Sequence, residues 1–114
     1  MVMLKVGLNQ IRDLHDTDLD KGWMGTDGSA ATESQTGLQS GVAATKETVT
    51  VTQADKTNVV EYTLESDTGT GNTYREFAVI KDGVVEYNRT TFTGIAHTAN
   101  DDVVVRQTFF YKNP

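Results

Sequence analysis

Ala78-Val-Ile-Lys-Asp-Gly-Val-Val-Glu-Tyr87 sets an apolar run on either side of Asp82-Gly83, and the reading of this stretch decides the fold class. Gly takes the positive φ that a two-residue type I′ turn needs, so the spacing predicts a β-hairpin with strands over about 74–81 and 84–93. Upstream, Val60, Tyr62 and Leu64 alternate with Glu61, Thr63 and Glu65, the pattern of a strand with one buried and one wet face. Val49 and Val51 alternate with Thr48, Thr50 and Thr52 in the same way. The tail carries two stripes, Val103, Val105, Phe109 and Tyr111 against Val104, Arg106, Thr108 and Phe110. Neither stripe is purely polar, which predicts a last strand covered on both sides or covered by a neighbouring subunit. Val, Thr and Ile total 34 residues against 14 for Leu and Ala, a skew toward side chains that fit a pleated surface.

At the other end, Val2, Leu4, Val6 and Leu8 alternate like a strand while Leu4, Leu8, Ile11 and Leu14 recur at helical spacing. The second pattern predicts a short helix from Leu8 to His15, preceded by a few extended residues. Between Gly25 and Val42 the chain is small, polar and Gly-containing, with Asp27-Gly28 as a turn signal and Leu38 as its one large apolar residue. That segment predicts an ordered surface excursion. Asp67-Thr-Gly-Thr-Gly-Asn72 predicts a second loop. The expected fold is therefore mainly β: one antiparallel, jelly-roll-like β-sandwich of about six to eight strands over residues 1–114, with one short N-terminal helix.

Composition narrows the function. Sixteen acids against ten bases give a net charge of -6, so a nucleic-acid backbone or an anionic lipid surface repels the chain. Each half carries eight acids and five bases, so no basic arm hides in the average. There is no cysteine, hence no thiolate nucleophile or thiolate zinc site. The longest apolar runs, Met1 to Leu4 and Phe77 to Ile80, have four residues, too short for a signal-peptide core or a membrane span. An extracellular location would then require lysis, a dedicated machine or incorporation in a particle.

In order along the chain stand Gly7-Leu-Asn-Gln-Ile-Arg-Asp-Leu14, a Gly-Thr-Ala-rich segment from Gly25 ending in Leu38, Arg75-Glu-Phe-Ala-Val-Ile80, and Asn88-Arg-Thr-Thr-Phe92. This succession resembles short structural proteins of tailed phages and tailed archaeal viruses, related to tail-fibre and baseplate components. The Asp-rich stretch from Asp16 to Asp20 and the Phe109-Phe-Tyr111 ending depart from that pattern. The resemblance implies a β-sandwich that assembles as a symmetric homo-oligomer on a virion, against other virion proteins, with no catalytic residues to carry over. A capsid-surface turret or decoration is the neighbouring alternative.

The sharpest local pattern is Asp16-Thr-Asp-Leu-Asp-Lys-Gly-Trp-Met-Gly-Thr-Asp27. Asp16, Asp18, Asp20 and Asp27 occupy positions 1, 3, 5 and 12 of a calcium loop, where a hard cation wants converging carboxylates. Lys21 stands where that motif has Gly, and Asp27 where it has Glu; the alternative is a merely solvated acidic loop. Trp23 is read as a core anchor, an interface residue or a sugar-stacking platform, and Phe109, Phe110 and Tyr111 as interface residues. With calcium, and with Trp23 or Tyr74 stacking on sugar, the same features would suit an adhesin for host-surface glycan.

His15 and His97 lie in no nucleophile motif; His15 suits the last turn of a helix and His97 a loop after a strand. Glu61, Glu65, Glu76 and Glu86 are expected on solvent faces of strands, and Arg75-Glu76 with Arg89 is expected to form a structural ion pair across the hairpin or between subunits. Gly69-Thr-Gly71-Asn72 lacks the Lys-Ser/Thr ending of a phosphate loop, and Asn88-Arg-Thr90 matches a glycosylation acceptor only in form. No enzymatic activity is expected from these residues.

Overall fold

The computed structural model describes residues 5–112. Helix α1 spans Lys5–Asp16, and eight strands follow: β1 Lys21–Gly25, β2 Glu47–Thr48, β3 Thr50–Ala54, β4 Thr57–Leu64, β5 Thr73–Lys81, β6 Val85–Glu86, β7 Thr90–Ala96 and β8 Val103–Phe110. The chain is mainly β, with 44% strand and 13% helix, and its two antiparallel sheets form the expected sandwich with a short N-terminal helix. The helix begins earlier than its apolar spacing indicated; the extended lead-in expected before it falls on residues 1–4, outside those described.

One sheet runs β2-β1-β5, with β6 and β7 both lying along the far side of β5; the other runs β3-β4-β8. Between their inner faces lies a core of Leu19, Met24, Val49, Val60, Tyr62, Leu64, Tyr74, Phe77 and Val79. Tyr62 crosses it to donate its hydroxyl proton to the Thr45 carbonyl at 2.8 Å. Its ring lies edge-on to Phe77, 5.0 Å between centroids. Gly22 leaves room for it, since a Cβ there would sit 2.2 Å from Tyr62 Cδ2.

The predicted hairpin forms, with two differences. Its turn is Lys81–Val84, closed by Val84 N–H to Lys81 O at 2.9 Å. Left-handed φ occurs there at Gly83 alone, +75°, the type II pattern rather than I′, which needs positive φ at both central residues. The returning strand is also broken rather than continuous from 84 to 93. Asn88 Oδ1 accepts from Val79 N–H at 2.8 Å, so a side chain takes the place of a ladder carbonyl, and pairing resumes only at Phe77↔Thr90. A second hairpin, β3–β4, turns on Asp55-Lys56 with Lys56 at φ 54°. No glycine marks that turn in the sequence.

Along β4 the burial alternates as expected, with Asn58, Val60, Tyr62 and Leu64 buried. The strand covered on both faces is β5, not β8. From Glu76 to Ile80 every residue of β5 is buried, because residues 26–40 fold over the outside of its sheet as a third layer. In β8 one stripe packs on the core while the other is open: Val104 is 56% exposed and Phe110 65%. Within one chain, coverage of β8 on both sides does not occur.

Candidate functional site

The third layer is fastened by carboxylates. Glu76, fully buried, accepts backbone N–H bonds from Gln39 at 2.9 Å, Ser40 at 2.8 Å and Asp27 at 3.2 Å, and its Oε1 accepts Arg89 Nε at 2.8 Å. Arg89, whose side chain is 4% exposed, donates onward to the Ser29 carbonyl at 2.8 Å, the Gln35 side chain at 3.2 Å and the Asp27 carbonyl at 3.2 Å. Next to it, Glu86 Oε1 accepts Leu38 N–H at 3.2 Å. The expectation that Glu76 decorates a solvent face is therefore corrected, whereas the pairing of Arg89 with Glu76 across the hairpin is as expected. Burial alone would push the Glu76 pKa up, but the Arg89 and backbone hydrogen bonds outweigh it and hold the carboxyl below its ordinary range. A carboxylate with four donors is saturated: it anchors the excursion and holds no exchangeable proton.

A groove of about 370 Å³ opens between residues 31–37 and 86–89, and a smaller one of about 240 Å³ is lined by Trp23, Lys46, Ile80 and Val84. Trp23 is half-buried on the outer face of the five-stranded sheet: Nε1 donates to the Val42 carbonyl at 3.0 Å. Lys46 Nζ lies 4.4 Å from its ring centroid. Tyr74 is completely buried, so its ring offers no open face to stack on sugar.

The calcium-loop acids are not brought together. Asp16 ends α1, and Asp18 accepts Lys81 Nζ at 3.1 Å. Asp20 Oδ2 faces the Asp82 N–H at 3.4 Å, and Asp27 accepts Ser29 N–H at 2.7 Å. Strand β1 occupies the middle of the presumed loop, and its five extended residues carry Asp27 some 16 Å beyond Asp20. Among the described residues no group of three His, Cys, Asp or Glu side chains converges on a metal position. Hydrogen bonds from Lys81 and Ser29 are the main causes that lower the pKa values of Asp18 and Asp27.

Both histidines serve the fold. His15, in the last turn of α1, sits edge-on to Tyr87, Phe109 and Tyr111, with ring centroids 4.6, 5.1 and 5.7 Å away. The Tyr111 hydroxyl accepts Asn58 Nδ2 at 3.2 Å and lies against His15 Nδ1, while His15 Nε2 is buried without a hydrogen-bond partner. Burial lowers the His15 pKa, with Asp18 opposing, which disfavours the cation that the helix end would suit. His97 follows β7 and places Nε2 2.9 Å from the carbonyls of both Glu65 and Thr68, which only an N–H can satisfy. Asn88 is occupied by Val79 and, through Nδ2, by Gln107 Oε1 at 2.6 Å, so its glycosylation-like triplet is structural.

Of the four expected interface aromatics, Phe109 packs on the core, Tyr111 holds His15, and Trp23 lies against Gly41. Phe110 alone points outward, with Lys112 Nζ 5.8 Å from its ring centroid. It belongs to the outer face of the three-stranded sheet, where register sets Phe110 beside Thr57, Thr108 beside Val59, Arg106 beside Glu61 and Val104 beside Thr63. No protein-family model matches the chain, and neither a curated protein nor a solved structure matches it.

Proposed function

We propose that this chain is a non-enzymatic structural component of a tailed-virus particle, seated in the tail fibre or baseplate and working by burying strand surface against identical copies and other virion proteins. The observation that carries the assembly reading is the outer stripe of β8, where Phe110 and Val104 stay 65% and 56% exposed although the core is complete. Large apolar side chains grouped on one sheet face favour association over solvation. A second uncovered stripe lies on α1, where Leu14 is 62% and Ile11 41% exposed while Leu8 alone is buried. The succession of motifs from Gly7 to Phe92 supports the choice of a viral tail.

The test is immunogold electron microscopy of particles purified from cells that encode the chain. Label at the tail tip is the expected result. Label over the capsid surface would move the protein to a turret or decoration role, and unlabelled particles would refute the virion reading.

A further inference from the structure

The outer face of the β3-β4-β8 sheet has a charge pattern unlike the rest of the molecule. The chain carries a net charge of -6, yet the strands of that face carry just one acid and one base pointing outward, Glu61 and Arg106, with Lys112, beyond the end of β8, reaching back to 5.8 Å from the Phe110 ring centroid. They pair with each other, Arg106 Nη2 to Glu61 Oε2 at 2.5 Å and Nε at 3.1 Å. Around them stand Val59, Val104, Phe110 and a set of threonines, all of which offer methyl or ring surface. The face is thus largely apolar, marked at its middle by one positive and one negative group on adjacent strands and at the Phe110 end by the Lys112 cation. A second copy gains both pairs: with a twofold axis along the strands between β4 and β8, each Glu61 lies opposite the partner subunit's Arg106, and each Arg106 opposite the partner subunit's Glu61.

We infer that two copies of this chain pack through this face, sheet on sheet, in an isologous dimer registered by the Glu61–Arg106 pairs. The inference rests on the assembly reading above and names the partner. Aligned sheets stack about 10 Å apart with strands near -30° to one another, a spacing that interleaved Val, Thr and Phe side chains fill. The three strands cover about 14 by 27 Å, a footprint below that of a standard specific interface, so the association is weak and concentration-dependent.

Charge reversal tests it. The pair is exposed within one chain, so Glu61→Arg and Arg106→Glu should each fold, with circular dichroism melting curves like the wild type's at low concentration. At about 100 µM, native mass spectrometry and sedimentation velocity should give a wild-type dimer and monomers for each single variant, since each homodimer would face four like charges. An equimolar mixture of the two variants should recover dimer as the heterodimer alone, and the double variant should dimerise again. A wild-type monomer at that concentration would overturn the inference, and so would single variants that keep the dimer mass or a mixture that stays monomeric. None of these results bears on whether particles contain the chain, which the immunogold experiment decides separately.

Discussion

His15 shows how much one side chain is set by its surroundings. In a free helix end it would be a cation favoured by the dipole, but here three aromatic edges and the Tyr111 hydroxyl enclose it and favour the neutral form. Its folded pKa lies below the ordinary 6.5, so the unfolded chain binds more protons in the window between the two values and stability rises with pH there. Melting temperature should therefore fall as pH drops below about 6.5, before the carboxylates titrate. His15→Phe should flatten that part of the profile; an unchanged slope between pH 5 and 6.5 would show that the aromatic box does not hold a neutral ring.

At the scale of elements, the excursion over residues 26–40 stays in place because two strand acids accept its backbone N–H groups. Removing Arg89 leaves the Glu76 charge buried with backbone donors only, so Arg89→Ala should cost about 3–5 kcal/mol in urea denaturation. It should also speed cutting by a glutamyl endopeptidase after Glu33, which is exposed in the middle of the excursion; an unchanged cutting rate would mean that the clamp does not hold the layer. Because the Glu76 carboxyl sits below its ordinary 4.5, the clamp contributes fully above that value and is lost as pH falls through the folded one. The broken return strand has the same origin in a side chain: Asn88 satisfies Val79 N–H, and the ladder restarts beyond it.

For the whole molecule, the dimer inferred from the open sheet face would make stability a property of more than one chain. A dimer that forms only from folded copies shifts unfolding by mass action. Wild-type melting temperature should therefore climb with protein concentration while that of Glu61→Arg stays level, and two flat series would count against assembly through this face.

Much of this architecture was legible in the order of residues. The alternation of Val60, Tyr62 and Leu64, the apolar runs about Asp82-Gly83 and the helical spacing of Leu8, Ile11 and Leu14 each depend on side chains a few positions apart, and period alone decides which face they share. The pairing of Arg89 with Glu76 was readable as well, from a lone acid in an apolar strand and a lone base on the return. Its burial was not, because the cover arrives from residues 26–40, whose polar composition reads as surface. Nor could spacing show that β1 would be extended through the middle of the acidic stretch, separating Asp20 from Asp27, or that Phe109 and Tyr111 would turn inward while Phe110 remained free. Local pattern determined the helix, the alternation of β4 and the hairpin that starts from β5; only the tertiary structure decided what covers each face, because burial depends on segments far apart in the chain and on which polar groups the packed neighbours can satisfy.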